Sequence, residues 1–162
     1  GLSTHGASVT IVPYEPWVCN ADYKLGFLTV RFSPRNWMTR LQNRCNQPGQ
    51  GGTSPREVLF HELVHALRDV SGKWHRGRPE GITGFRNSEE FIAVMLSNIF
   101  SSELGNPLRA AHDSAAALAP NAADPARSDA GIKLVELVKK DHPEMCRRIS
   151  KGIHAYNPIR DL

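Results

Sequence analysis

Residues 54–70 decide how the rest of this sequence is interpreted, and they read Ser-Pro-Arg-Glu-Val-Leu-Phe-His-Glu-Leu-Val-His-Ala-Leu-Arg-Asp-Val. Ser54 is a typical N-cap, Pro55 suits the first helical position, and Glu57 completes a capping box. The segment therefore predicts a helix from position 55 to about position 70. Gly72 and Lys73 follow, a small residue and a cation where a helix C-terminus favours them.

The predicted helix is amphipathic. Five apolar side chains recur at helical spacing and form one stripe, which we expect to face the core: Leu59, Leu63, Ala66, Leu67 and Val70. The other side contains His61-Glu62-x-x-His65, in which two imidazoles lie one turn apart on the same face. This is the geometry of a zincin, so His61 and His65 are predicted to bind one zinc ion, with Glu62 as the catalytic general base.

A catalytic zinc needs three protein ligands and one open position. The extended pattern, with a third histidine six residues after the second, is absent because residue 71 is a serine. A second helix is predicted from Asn87 or Ser88 to about Glu103, apolar almost all round, and it begins with two glutamates. A carboxylate from this helix is therefore the remaining choice for the third ligand.

The third ligand is predicted to be Glu90. Ala93 and Ser97 follow it at helical spacing, and such small residues let two helices approach closely around a metal. Glu89 heads towards Ala93 and Leu96, a side that faces a metal less clearly, and it stays the alternative.

These residues resemble a known group of enzymes. His61-Glu62-x-x-His65, followed by Asn-Ser-Glu-Glu-Phe-Ile-Ala-Val at 87–94, is similar to the bacterial metallopeptidase effectors of the NleD-like group. It also resembles the peptidase toxins carried at the ends of type VI spike (VgrG) and Rhs proteins. In that resemblance, and in the anthrax lethal-factor peptidase, the third ligand is the glutamate before a Phe/Tyr-x-Ala run, here Glu90. The similar stretch also contains Ser102-Glu103 and Leu108-Arg109-x-x-His112.

The resemblance implies a zinc-dependent endopeptidase that is secreted as a toxin into a target cell, either a bacterial periplasm or a host cytosol. It implies a protein or peptide substrate of unstated identity and a carrier that belongs to a secretion system. Lethal factor has a tyrosine seven residues before its ligand glutamate that can stabilise the oxyanion, whereas this chain has Thr83 there. Another residue must then supply that donor.

His112 is the first candidate for the oxyanion or substrate contact, and Arg109 is the second. Both residues could instead simply pin the end of the second helix. Three tyrosines offer the same kind of donor: Tyr14, Tyr23 and Tyr156. Asp69 and Glu89 are candidate acceptors for the second nitrogens of zinc-bound imidazoles.

The remaining sequence predicts an α+β fold in which a small antiparallel sheet packs beside a helical core. Strands are expected over 9–12 and 26–32, a glycine-rich connector over 46–53 and a long loop over 113–129. Further helices are expected over 128–140 and 143–153. If the strand over 28–32 lies at the sheet edge, it can hold an extended peptide by β-augmentation. We expect residues 1–162 to form a single domain that is a fragment of a longer protein.

Composition excludes several classes. The chain is 40% hydrophobic and 22% charged, which excludes disordered and fibrous proteins, and no apolar run approaches the roughly 18 residues of a membrane span. Three cysteines are too few for a cysteine-based zinc site, and a Cys19–Cys45 bridge stays open.

Two other function classes remain. A non-catalytic, zinc-stabilised protein-binding module needs a fourth ligand, for example His75 or His112. A nucleic-acid-binding domain could use the stretch over 23–56, which has six cations and no acid. Its aromatic residues are not interleaved as a base-stacking platform requires, so nucleic acid is not the favoured partner.

Overall fold

The computed structural model describes residues 7–15, 20–37, 49–78, 80–112, 114–119 and 122–162. The described residues form an α+β fold. The chain divides into two compact units. The first unit comprises Gly1–Pro48 and Thr53–Trp74, and the second comprises Gly49–Gly52 and His75–Leu162.

The first unit contains β1 (Thr10–Val12), β2 (Ala21–Lys24), β3 (Thr29–Phe32), a 3-10 helix (Pro34–Trp37) and α1 (Pro55–Val70). The second contains α2 (Ser88–Glu103), β4 (Arg109–Ala111), β5 (Ser114–Ala117), a 3-10 helix (Pro125–Arg127), α3 (Asp129–Asp141), α4 (Pro143–Ile149) and α5 (Pro158–Asp161). Across the described ranges, no helix combines the length and apolar character that crossing a bilayer requires.

The sheet of the first unit is mixed, so the prediction of an antiparallel sheet was wrong here. β1 pairs with β3 in parallel, and β2 pairs with β3 antiparallel. β3 is therefore the central strand, with both of its sides occupied. The condition for this strand to hold a peptide by β-augmentation is therefore not met, because β1 and β2 form the edges. β2 was not foreseen, since Ala-Asp-Tyr-Lys lacks the β-branched residues typical of strands.

Three of the five residues of the predicted apolar stripe of α1, namely Leu59, Leu63 and Ala66, pack against this sheet. The core cluster combines side chains from β2, β3 and α1, with partly buried residues of α1 around it: Ala21, Val30, Phe32, Ala66, Val58, Leu59 and Leu63. The polar side of the same helix is buried as well, and it includes the fully buried Arg68. The sequence pattern had indicated burial of the apolar stripe alone.

Both ends of α1 follow from local sequence. The hydroxyl of Ser54 accepts a hydrogen bond from the N–H of Glu57, whose carboxylate accepts one from the N–H of Ser54, as the capping box predicts. At the other end Gly72 has φ +66°, a left-handed conformation that favours glycine. The N–H groups of Gly72 and Lys73 donate to carbonyls of the last helical turn, which makes a Schellman motif.

In the second unit, α2 is buried almost all round, as its apolar sequence predicts, and Asn87 is its N-cap. The segment over 113–129, predicted as one long loop, contains β5 and the 3-10 helix at 125–127. β4 and β5 form an antiparallel pair of short, alanine-rich strands, a composition that gives little strand signal. α3 begins after Ser128 as predicted, and α4 ends at Ile149 rather than near 153.

Gly131 in α3 tests the packing of this unit. A Cβ at this position would lie 2.1 Å from the carbonyl oxygen of Pro125. Gly→Ala in a helix interior ordinarily stabilises by about 1 kcal/mol. We expect Gly131→Ala instead to lower the free energy of unfolding by about 1–3 kcal/mol, because backbone must move to admit the methyl group. Urea unfolding measures the change, with Ala130→Gly as the control for helix propensity, and a stabilised Gly131→Ala would contradict the prediction.

Candidate metal centre

The two histidines of the His-Glu-x-x-His motif face each other in the first unit. The Nε2 atoms of His61 and His65 lie 3.0 Å apart. Their rings meet edge to face, with centroids 4.7 Å apart. Both side chains are buried, with exposed fractions of 7% for His61 and 4% for His65. α1 produces this arrangement because residues four apart lie on one face of a helix.

The spacing of these nitrogens is close to that of two ligands of one metal ion. Two nitrogen ligands of a tetrahedral zinc, each about 2.0–2.1 Å from the ion, lie about 3.3 Å apart. Two imidazole nitrogens directed at each other repel unless a proton or a cation lies between their lone pairs. A hydrogen bond between the two rings or a shared metal ion would remove this repulsion, so His61 and His65 could bind a metal ion together.

Trp74 contacts the imidazole of His65, with ring centroids 5.3 Å apart and an interplanar angle of 38°. The indole also approaches Tyr23, at 6.0 Å between centroids. The backbone beside it is fixed because the Arg68 guanidinium donates to the carbonyl of Lys73 over 2.6 Å. Neither Arg68 nor Trp74 was foreseen from the sequence, although they follow His65 by only three and nine residues.

The Tyr23 hydroxyl donates to the Asp69 carboxylate over 2.5 Å, and the Gly26 N–H donates to the same oxygen. Burial and this hydrogen bond to an anion raise the pKa of Tyr23 well above its ordinary value. The structure thus places Asp69, a candidate partner for the imidazoles, at Tyr23 and Gly26. Tyr23 in turn is engaged as a donor to that carboxylate.

In the second unit, the two glutamates at the start of α2 have different surroundings. The backbone N–H of Glu90 donates to the Asn87 side chain over 2.9 Å, and its carboxylate lies 3.1 Å from Nε2 of His112. Glu89 is fully buried, and its carboxylate accepts a hydrogen bond from the N–H of His75 over 3.2 Å.

His61 and His65 in the first unit and Glu90 in the second are residues that could hold a metal ion, and each offers one ligand atom. Glu62, the predicted general base, lies in α1 with the two histidines and is 8% exposed.

The predicted oxyanion candidates lie in and around the β4–β5 turn. His112 faces the Glu90 carboxylate. The guanidinium of Arg109 donates to the carbonyl groups of His112 and Ser114, so it is directed at the backbone of the turn. The resemblance named Arg109 and His112 together, and the structure adds that the Arg109 guanidinium donates to the backbone carbonyl of His112.

The remaining candidates have other contacts. Tyr14 accepts a hydrogen bond at its hydroxyl from the Asn20 amide over 3.1 Å. The Tyr156 hydroxyl lies 3.4 Å from Asp124, and burial together with this negative charge raises the pKa of Tyr156. His75, a candidate fourth ligand, places Nε2 3.3 Å from the carboxylate of Asp141.

Cys19 and Cys45 lie outside the described residues, so their proposed bridge is not described. Cys146 is a buried thiol that donates to the carbonyl of Val138. The chain matches no protein-family model, no curated protein and no solved structure. The chemistry of the site is therefore the ground on which a function is assigned.

Proposed function

We propose that this chain is a zinc-dependent endopeptidase. The observation that carries the proposal is the buried pair of His61 and His65, whose Nε2 atoms lie 3.0 Å apart, with Glu62 adjacent to His61 in sequence. Glu90 is the carboxylate that we propose as the third ligand. Two imidazoles and one carboxylate are a ligand set typical of catalytic zinc in peptidases.

Each residue has a separate task in this proposal. When bound, zinc supplies a Lewis acid that polarises the scissile carbonyl and makes a water molecule more acidic. Glu62 accepts the proton of that water on its carboxylate and passes it to the leaving amine. The burial of Glu62 and of both imidazoles favours such proton transfer, because charges interact more strongly where bulk water is excluded.

The number of donors supports a catalytic rather than a structural site. Structural zinc sites are closed by four protein ligands, whereas catalytic sites keep one position open. The proposed ligand set has three donors, His61, His65 and Glu90, all from the described part of the chain. The two histidines considered as a fourth ligand contact carboxylates: His112 contacts Glu90, and His75 contacts Asp141.

The biological setting of the proposal rests on the resemblance to NleD-like effectors and to the peptidase toxins of type VI spike and Rhs proteins. On that ground we propose that the enzyme acts as a secreted bacterial toxin on a protein or peptide of the target cell. A carrier from a secretion system and delivery into a bacterial periplasm or a host cytosol belong to the same proposal.

Metal content of matched variants tests the ligand set. We expect about one zinc per wild-type chain by mass spectrometry after dialysis, and less than about one tenth of that in Glu90→Gln, because an amide is a weaker and uncharged ligand. Glu89→Gln is the matched control, because it leaves the Glu90 carboxylate unchanged. The new amide oxygen at position 89 can still accept the hydrogen bond from the N–H of His75.

Circular dichroism establishes that each variant is folded. Equal zinc loss in folded Glu90→Gln and Glu89→Gln would contradict the assignment of Glu90 alone. A folded wild type that takes up no zinc on reconstitution would overturn the proposed function and favour a binding module.

A further inference from the structure

The contact between His112 and Glu90 gives this histidine a task that the motif does not show. Nε2 of His112 lies 3.1 Å from a carboxylate oxygen of Glu90, and both side chains are about four-fifths buried, with 20% and 19% exposed. An imidazole nitrogen and a carboxylate oxygen attract each other at this distance when the nitrogen carries a proton. His112 is thus placed as a donor to the Glu90 carboxylate.

The backbone of His112 is fixed on both sides. Its N–H donates to the carbonyl of Gly84 over 2.9 Å. Its carbonyl accepts a hydrogen bond from the guanidinium of Arg109, whose Nε also donates to the carbonyl of Ser114 over 3.2 Å. The turn that carries the imidazole is therefore held by three hydrogen bonds.

The helix that carries Glu90 also holds the strand that leads to His112. The side-chain amide of Asn98 in α2 accepts from the N–H of Arg109 over 2.8 Å and donates to its carbonyl over 2.9 Å. Asn98 is 4% exposed, so these bonds are shielded from water. α2 thus fixes Glu90 near its own start. Through Asn98 and Arg109 it also fixes His112, which contacts the Glu90 carboxylate.

We propose that His112 is a positioning residue of the metal centre, which holds the Glu90 carboxylate in one orientation by donating a hydrogen bond from Nε2. This rests on the proposed function, because it assigns a task to Glu90 as a zinc ligand. A carboxylate that is already held loses less rotational freedom when it binds a cation. In this role His112 donates to the Glu90 carboxylate, which differs from the oxyanion contact predicted for it from the sequence.

Zinc affinity of matched variants tests the proposal, measured by competition with a chromophoric chelator. We expect His112→Ala to weaken zinc binding by about 10–100-fold, the usual effect of removing a partner of a metal ligand. His112→Gln should stay within about threefold of the wild type, because its amide N–H can replace the imidazole donor. His154→Ala, which removes a half-buried histidine of the same unit, should bind zinc like the wild type.

Thermal unfolding of the metal-free proteins separates positioning from a structural role. We expect metal-free His112→Ala to unfold within a few degrees of the wild type, so that its loss appears only in zinc affinity. A zinc affinity of folded His112→Ala within twofold of the wild type would overturn the proposal and leave the zinc site standing. A wild type without measurable zinc affinity would overturn the proposed function itself.

A measurement on the unchanged protein makes the test independent of any variant. Long-range ¹⁵N–¹H NMR of the metal-free wild type at pH 8 identifies which ring nitrogen of His112 carries the proton. We expect the Nε2–H form, because the hydrogen bond that a ring makes sets its tautomer. The Nδ1–H tautomer would overturn the proposal even if every His112 variant failed to fold.

Discussion

Glu62→Gln lowers the rate of peptide hydrolysis by about 10²–10⁴-fold in our expectation, while zinc content stays at the wild-type level. Glutamine has nearly the same shape as glutamate but cannot accept a proton at neutral pH, so the change removes the general base and little else. The measurement is the release of new peptide termini from a proteome-derived peptide library, followed over time by mass spectrometry with zinc-loaded protein.

Glu144→Gln is the matched control for this change. Glu144 is an exposed glutamate of α4 that pairs with Arg147 and Arg148. The Glu144→Gln protein should cleave the library at the wild-type rate, because exposed ion pairs contribute little to stability and Glu144 takes no part in the proposed chemistry. A Glu62→Gln protein that retained more than about a tenth of the wild-type rate would assign the general base to another residue.

Arg68→Ala has the largest expected effect on stability. The Arg68 side chain is fully buried in the last turn of α1, and its guanidinium donates to the carbonyl of Lys73 over 2.6 Å. Truncation to alanine leaves a cavity and removes a charged donor from a buried carbonyl. We expect the free energy of unfolding to fall by about 3–5 kcal/mol, measured by urea unfolding of the metal-free protein.

Arg148→Ala is the comparison for Arg68→Ala. Arg148 is 77% exposed at its side chain and pairs with Glu144 one helical turn away. Its loss should change the free energy of unfolding by less than about 0.5 kcal/mol. If Arg68→Ala cost less than about 1 kcal/mol, the buried guanidinium would not be what holds the segment after α1.

Features that depend on residues close in sequence were predictable. Ser54 was foreseen as a helix cap and Asn87 as one of two candidates for the next, and both side chains accept the expected hydrogen bonds. The approach of His61 and His65 follows from a spacing of four residues on one helix. Each of these signals is complete within one or two helical turns.

Features that depend on distant partners were not predictable in the same way. β2 and the β4–β5 pair are short strands with polar or alanine-rich sequences, and they gain their stability from pairing rather than from propensity. The burial of the polar side of α1 is a tertiary effect that the apolar stripe does not reveal. For the same reason the sequence suggested that His112 is important without indicating which atom it contacts.

The position of Trp74 against His65 gives the molecule a built-in optical reporter. Indole emission responds to the protonation and electron density of an imidazole within van der Waals reach, and these two ring centroids are 5.3 Å apart. The chain has three tryptophans, so substitution of the other two, Trp17 and Trp37, would leave a single emitting group at a proposed ligand. The rate at which a cation enters or leaves could then be recorded in a stopped-flow instrument without an added dye.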